Sequence, residues 1–488
     1  MQIAARSRRA EDTSFEFVGW KPGSLAGQAT MLLDRVIFYS LLALIVVLAI
    51  PYGAVEAWWE AIFECVVFAL AALWMVEGLV RGTWQLGNFR VFMPLLALAL
   101  FAVFQAGFGQ GATTEAGIES RAWAAISADP YETHRFALKL LALILTGALL
   151  QSHITNRSRF SLLINVLIGV GVASAIFGMV RQTAQHDEGF LLAYLRPGEG
   201  YAQFINRNHF AFLMEMVFGL ALGLVVGGGA RRDRLLLYAA AMIPLWAGLV
   251  LSNSRGGVGS LLSQMLFMAL MFGFVRCYSA TDDTESFWAR LARIGRSAMA
   301  RLVIVSCLAV VMAIGIIWMG GDPLANRMGN LATDLRGATA QERTNENRVE
   351  IWRATWRLIK AHPITGSGFG AYGVAVPEYH DSSGEMTPRQ AHNDYLELLA
   401  NGGVIGGVIG LWFLIVLLQR VREEFRRVDV FRRAVCFGAM VGIFGVATHS
   451  LVDFGLHITF NAIMFIALVI IGTMDWNKVE AINQPFGL

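Results

Sequence analysis

Long apolar runs alternate with short polar breaks along most of the 488 residues. A helix needs about 20 residues to cross a bilayer core, and about twelve runs approach that length. They lie near 36–52, 58–76, 91–108, 136–150, 160–180 and 209–227, then near 235–251, 256–275, 302–319, 404–418, 434–448 and 456–473. Lipid accepts only helices or a closed barrel, because every backbone polar group must be satisfied within the segment. These runs lack the period-two alternation of barrel strands. The pattern therefore predicts an all-α polytopic membrane protein with about 12 transmembrane helices.

Composition agrees: 56% of residues are hydrophobic and 15% charged, with a mean hydropathy of +0.54, where a soluble chain carries roughly 25% charged residues. Basic residues fall in every second loop. Arg6, Arg8 and Arg9 precede the first run; Arg81 and Arg90, Arg157 and Arg159, and Arg231, Arg232 and Arg234 follow. Arg290, Arg293, Arg296 and Arg301, and then Arg420 to Arg433, complete the series. The positive-inside rule makes these loops cytoplasmic and the intervening ones outward-facing. The net charge of +3 reflects this asymmetry and does not point to nucleic acid. Cys65, Cys277, Cys307 and Cys436 lie in or beside apolar runs without metal-ligand spacing, as small buried hydrophobes do.

The expected organisation is a cytoplasmic segment over 1–35, nine spans over 36–319, a large outward loop over 320–391, three spans over 392–474 and a cytoplasmic tail over 475–488. The large loop is too short for a core of its own and is expected to pack on the membrane bundle. Within it, Val349, Trp352, Trp356 and Ile359 recur at helical spacing opposite Glu350, Arg353, Arg357 and Lys360. That pattern predicts an amphipathic helix lying at the membrane interface. It should stop at His362-Pro363, since the residue before proline is pushed out of the α region. The following Gly366-Ser-Gly-Phe-Gly370 should form a turn needing permissive backbone angles.

Chemistry must sit on the polar islands. His392 lies where the large loop re-enters a hydrophobic helix; an imidazole's ordinary pKa near neutrality suits a general base, although histidines also cap helices at such boundaries. Arg255, in the turn Leu251-Ser-Asn-Ser-Arg-Gly-Gly-Val-Gly259, and Arg207, in Asn206-Arg-Asn-His209, are outward arginines that run against the charge bias. A guanidinium fork matches phosphate oxygens; the competing role is a snorkelling anchor. Arg343, Arg348, Arg353, Arg357 and Arg389 could add positive field. In His449-Ser-Leu-Val-Asp-Phe-Gly-Leu-His457, Asp453 stands between two imidazoles, and the spacing of His449 and Asp453 would place them on one helical face. A hydrogen-bonded network suits this cluster better than a metal site, which wants three placed ligands.

Several of these stretches together resemble the O-antigen ligase and polysaccharide polymerase superfamily. His392-Asn393, followed by Gly403 and Gly406, looks like its histidine-asparagine motif entering the span after the large loop. Asn206-Arg-Asn-His-Phe-Ala211, Ser254-Arg-Gly-Gly257, Arg348 to Trp352 leading into His362-Pro-Ile-Thr-Gly366, and His449-Ser-Leu-Val-Asp-Phe454 support it in order.

The resemblance implies a multi-helix bundle of the GT-C-like membrane glycosyltransferase type in a bacterial inner membrane, its site facing the periplasm. It implies metal-independent, inverting transfer of a glycan from undecaprenyl pyrophosphate to an acceptor hydroxyl, with no cofactor. The acceptor would be another glycan, lipid A-core or a protein hydroxyl, so ligase and polymerase share one donor chemistry. Carried over, His392 would be the base, and Arg255, Arg207 and Arg348 would hold the pyrophosphate. Asn393, Asn206, His449 and Asp453 would support them. A lipid-linked glycan flippase is the alternative of another class. It would need charges spread through the spans, whereas the candidates here gather at the outer side.

Overall fold

The computed structural model describes residues 25–83, 87, 89–107, 126–184, 200–279, 348–380, 388–425 and 429–474, with backbone only for 272–279. Eleven of the predicted runs fall on helices: α1 (Leu25–Ala49), α2 (Ala57–Arg81), α3 (Phe92–Gly107), α4 (Pro130–His153), α5 (Arg157–Ala184), α6 (Arg207–Val226), α7 (Arg232–Leu251), α8 (Arg255–Ser279), and, after the large loop, α10 (Asp394–Phe425), α11 (Val430–His449) and α12 (Thr459–Thr473). The run near 302–319 lies outside the described residues. Among the described residues, nine helices are long and apolar enough to span a membrane, and the shorter apolar α12 joins them. The protein is a polytopic helical membrane protein.

Local chemistry fixes the helix ends. Asp129 accepts the Glu132 amide ahead of Pro130 at the start of α4, Asn206 accepts the Asn208 amide at α6, and Asp429 accepts the Arg432 amide at α11. Each satisfies an amide that the first turn leaves without an intrahelical partner. The bundle is centred on α6, whose most apolar window is 89% buried, against 28% for α7. Helix α6 meets α11 backbone to backbone: a Cβ on Gly219 would lie 2.5 Å from the Gly442 nitrogen, and one on Gly223 2.2 Å from the Gly438 Cα. Small residues four apart on both helices make this approach possible in lipid, where dispersion and not water exclusion holds helices together.

The described part of the large loop contains α9 (Arg348–Ala361), which ends directly before His362-Pro363. Its amphipathic character is as expected. Ile351, Ala354, Thr355 and Leu358 point inward, while Val349 and Trp356 are exposed. The helix packs on Tyr372, Ala375, Val376, Ala391 and Ala400 through Ala354 and Leu358, with Ile359 partly buried against the same cluster and the Trp352 indole turned to the Ala391 carbonyl.

Helix α10 is broken at Gly403 (φ 58°, ψ −156°), a region essentially restricted to glycine. The chain after Pro363 fills the gap. Val404 and Ile405 donate to the Pro363 and Ile364 carbonyls (2.8 and 3.2 Å), while Ser367 and Gly368 donate to the Ala400 and Asn401 carbonyls (2.9 and 3.0 Å). Gly366, Gly368 and Gly370 all have positive φ, as the predicted turn requires. From α3, the buried Gln105 amide clamps both strands of this crossing, donating to the Thr365 and Asn401 carbonyls. The outer half of α10, which carries the His392 segment, is therefore built into the loop. Gly403→Ala is expected to destabilise the protein by about 1–3 kcal/mol through backbone strain alone; its Cβ would also lie 2.3 Å from the Ile364 carbonyl oxygen. A thermal melt of the protein in lipid nanodiscs checks this, and an unchanged melting temperature would contradict it.

Candidate functional site

Asp453 is the hub. It lies in the turn after α11 and its side chain is fully buried. His392 Nδ1 lies 3.3 Å from Asp453 Oδ1, the Asn208 side-chain amide donates to Oδ2, and an Arg348 guanidinium nitrogen lies 3.9 Å from Oδ2. The Phe454 amide also donates to Oδ1 (3.0 Å). Burial alone would raise the Asp453 pKa. The hydrogen bond from His392 and the positive fields of His209, His392 and Arg348 outweigh it and hold the carboxyl well below the usual carboxylate range. An ionised Asp453 fixes the imidazole tautomer: Nδ1 carries the proton and donates, so Nε2 keeps its lone pair.

Four stretches distant in sequence deliver these groups. The His392 segment is pinned by the Trp352 indole, which donates to the Ala391 carbonyl (3.0 Å), and by the Ala391 amide, which donates to Glu397 (2.8 Å). His392 itself adopts φ 49°, a left-handed conformation that costs a β-carbon-bearing residue about 1–3 kcal/mol and persists only where its surroundings impose it. Arg348 opens α9, and Asn208 sits in the first turn of α6. The fourth stretch is the α7–α8 turn. Ser254 donates to Asn208 Oδ1 (2.8 Å), which ties the Arg255 turn through Asn208 and Asp453 to His392. Arg255 is the first residue of α8 and is exposed. Asn253 in the same turn also has positive φ (55°).

The other sequence-predicted residues take varied places. Arg207 opens α6 on the exposed side. Asn206 caps α6. Asn393 caps α10, accepting the Tyr395 and Leu396 amides (3.0 Å each) and donating to the Leu451 carbonyl. His449 and Asp453 do not act together: α11 ends at His449, whose Nδ1 meets Glu215 Oε1 at 2.7 Å, while Asp453 turns to His392. The hydrogen-bonded network expected for this stretch is thus two separate pairs. Asn208, Ser254 and Glu215 were not singled out from the sequence. The first two stand within the quoted motifs, but Glu215 had no signal beyond being a carboxylate inside an apolar run.

Phe454 lies among three imidazoles, its ring centre 4.9 Å from His209, 4.8 Å from His392 and 5.9 Å from His457. His457 Nε2 faces Glu397 (3.4 Å) and Asp394 (3.6 Å). Among the described residues, one group has metal-compatible spacing, Asp34, Glu77 and His153. Its carboxylates are already paired with Arg159 and Arg81, which supply the positive charge a cation would bring.

An imidazole with a carboxylate behind it and an arginine beside it, at the end of a helical membrane bundle, marks a polar site in a polytopic membrane protein. Residues 239–411 match the family model described as O-antigen ligase. This segment includes Arg255, Arg348 and His392, and over it the chain is similar to that family. No curated protein matches the chain.

Proposed function

We propose that the protein is a glycosyltransferase that moves a glycan from undecaprenyl pyrophosphate to an acceptor hydroxyl at the periplasmic face of a bacterial inner membrane. The observation that carries this reading is the His392–Asp453 contact, with Arg348 beside it and the Ser254-Arg255 turn tied to it through Asn208. His392 Nε2 takes the proton from the acceptor hydroxyl as its oxygen attacks the anomeric carbon. The bond from that carbon to the pyrophosphate oxygen breaks, its electron pair leaves with undecaprenyl pyrophosphate, and the configuration inverts. Asp453 stabilises the imidazolium that forms.

The leaving group develops negative charge, which fixed guanidinium charge meets without titrating. Arg255 and Arg207, both exposed at helix starts, are assigned to this task. Arg348 divides its field between Asp453 and the same space. A donor whose polyprenyl tail stays in the bilayer accounts for a site at the membrane edge. Polymerisation of repeat units uses the same donor chemistry and differs only in the acceptor.

The test is transfer from undecaprenyl-pyrophosphate-linked glycan by the purified protein in vesicles, with the product identified as lipid-bound glycan, free polymer or glycosylated protein. Transfer is expected to persist in excess EDTA, because arginines take the place of a divalent cation. Loss of transfer in EDTA that added magnesium restores would overturn the metal-independent mechanism. Protein-dependent crossing of the lipid-linked glycan without transfer to any acceptor would instead favour a flippase.

A further inference from the structure

One buried titratable pair has no part in this mechanism. His449 Nδ1 and Glu215 Oε1 meet at 2.7 Å with both side chains shielded from solvent. The pair sits where three helices join. Ser260 of α8 places its hydroxyl 2.8 Å from both Glu215 Oε2 and the Gly445 carbonyl of α11. Gln264, one turn on, donates to the Glu215 and Val441 carbonyls (3.0 Å each). Helix α8 is therefore fastened to the rigid α6–α11 pair around Glu215. Stacking on Phe212 (4.1 Å between ring centres, 11° between planes) holds the His449 ring.

The other end of that ring is informative. His449 Nε2 is buried without a hydrogen-bond partner, and it lies against Gly256: a Cβ there would come within 2.4 Å of Nε2 and 2.6 Å of Cδ2. Gly256 follows Arg255 in the first turn of α8. With the Nδ1 proton donated to Glu215, Nε2 presents its lone pair to the positive end of α8, a favourable orientation. A buried carboxylate held by a neutral imidazole is by itself a poor source of stability, and an orphaned buried nitrogen adds a further cost. Neither cost is explained by holding the bundle together.

We propose that His449 and Glu215 are positioning residues for Arg255. The imidazole is a spacer of fixed length between Glu215 and the backbone at Gly256, and it sets the height and direction of the first turn of α8 so that the Arg255 guanidinium meets the pyrophosphate. The inference rests on Arg255 binding that group. Glycine is required at 256 because any side chain would displace the spacer, and with it the turn.

The full chain in lipid nanodiscs is titrated with undecaprenyl pyrophosphate alone, and the kinetics of transfer are measured in parallel. Arg255→Ala is expected to weaken binding about tenfold or more. Gly256→Ala, His449→Ala and Glu215→Gln should each weaken it severalfold and raise the donor KM, leaving kcat within about twofold. Gly256→Ala combined with His449→Ala should bind no worse than the weaker single variant, because the collision is gone. A purely structural pair predicts lower melting temperatures with unchanged KM, and that result would overturn the inference. Should His449→Ala fail to fold, Gly256→Ala and Glu215→Gln carry the test. If Arg255→Ala weakens binding while these variants bind like the parent protein, only the positioning role falls. If Arg255→Ala itself binds like the parent, the assignment of Arg255 falls as well.

Discussion

His392→Ala is expected to slow glycan transfer by about 10²–10⁴-fold, the range that removal of a positioned general base produces. Binding of undecaprenyl pyrophosphate should change little, because the arginines and not the imidazole are assigned to the phosphates. The effect should therefore appear in kcat with donor KM nearly unchanged, the signature of an interaction made only in the transition state. Structural damage is expected to be small: the His392 side chain is 30% exposed, and its segment is held by Trp352 and Glu397 through the Ala391 backbone. Alanine also relieves none of the left-handed strain at this position, so the backbone stays under the same constraint. Single-turnover transfer in vesicles measures the drop, with a melt of the same sample to show the fold. A folded His392→Ala protein that transfers at the parent rate would remove the base from the mechanism.

The membrane architecture was legible because its physics is one-dimensional. Apolar length marks spanning helices without any tertiary contact, and the backbone needs of Gly366, Gly368 and Gly370 follow from composition alone. The docking partners of α9 were not legible, because they lie in other segments of the chain. Ala354 and Leu358 dock on Tyr372 and Ala400, while Val349 and Trp356 stay exposed. The break in α10 was hidden for a related reason. Gly403 stands in an apolar run that reads as continuous helix, and only the arrival of Pro363 and Ile364, forty residues earlier in the chain, shows why the helix opens there.

For the site, the sequence marked His392, Asp453 and Arg255 individually, since each is a titratable or cationic group at a membrane edge. It could not pair them. The four-residue spacing of His449 and Asp453 suggested a partnership, yet past the end of α11 one turns to Glu215 and the other to His392. Glu215 and Asn208, which complete the two pairs, are reached only through α6 packing against α11 and the α7–α8 turn. The partners are products of tertiary packing, so no local window contains them.

Asp453→Asn is expected to lower kcat by about 10²–10⁴-fold, close to the loss of the base itself. The asparagine amide can donate where the carboxylate only accepts, so the imidazole is free to adopt the tautomer with its lone pair on Nδ1. Nε2 then carries the proton and cannot take one from the acceptor. The same change leaves Arg348 without the carboxylate's charge, while the amide oxygen can still accept from the Asn208 amide. The pH dependence separates this role from that of a titrating acid. Asp453 is depressed in the folded protein, so its stabilising contribution is complete above the ordinary carboxylate pKa of about 3.9 and is lost only as pH falls through its lower folded value. Between about pH 5 and 8 Asp453 does not change charge, and any acid limb of the rate profile in that window belongs to another group. Asp453→Asn should therefore lower the rate across that whole window. A variant whose rate matches the parent at neutral pH would show that Asp453 does not orient the base.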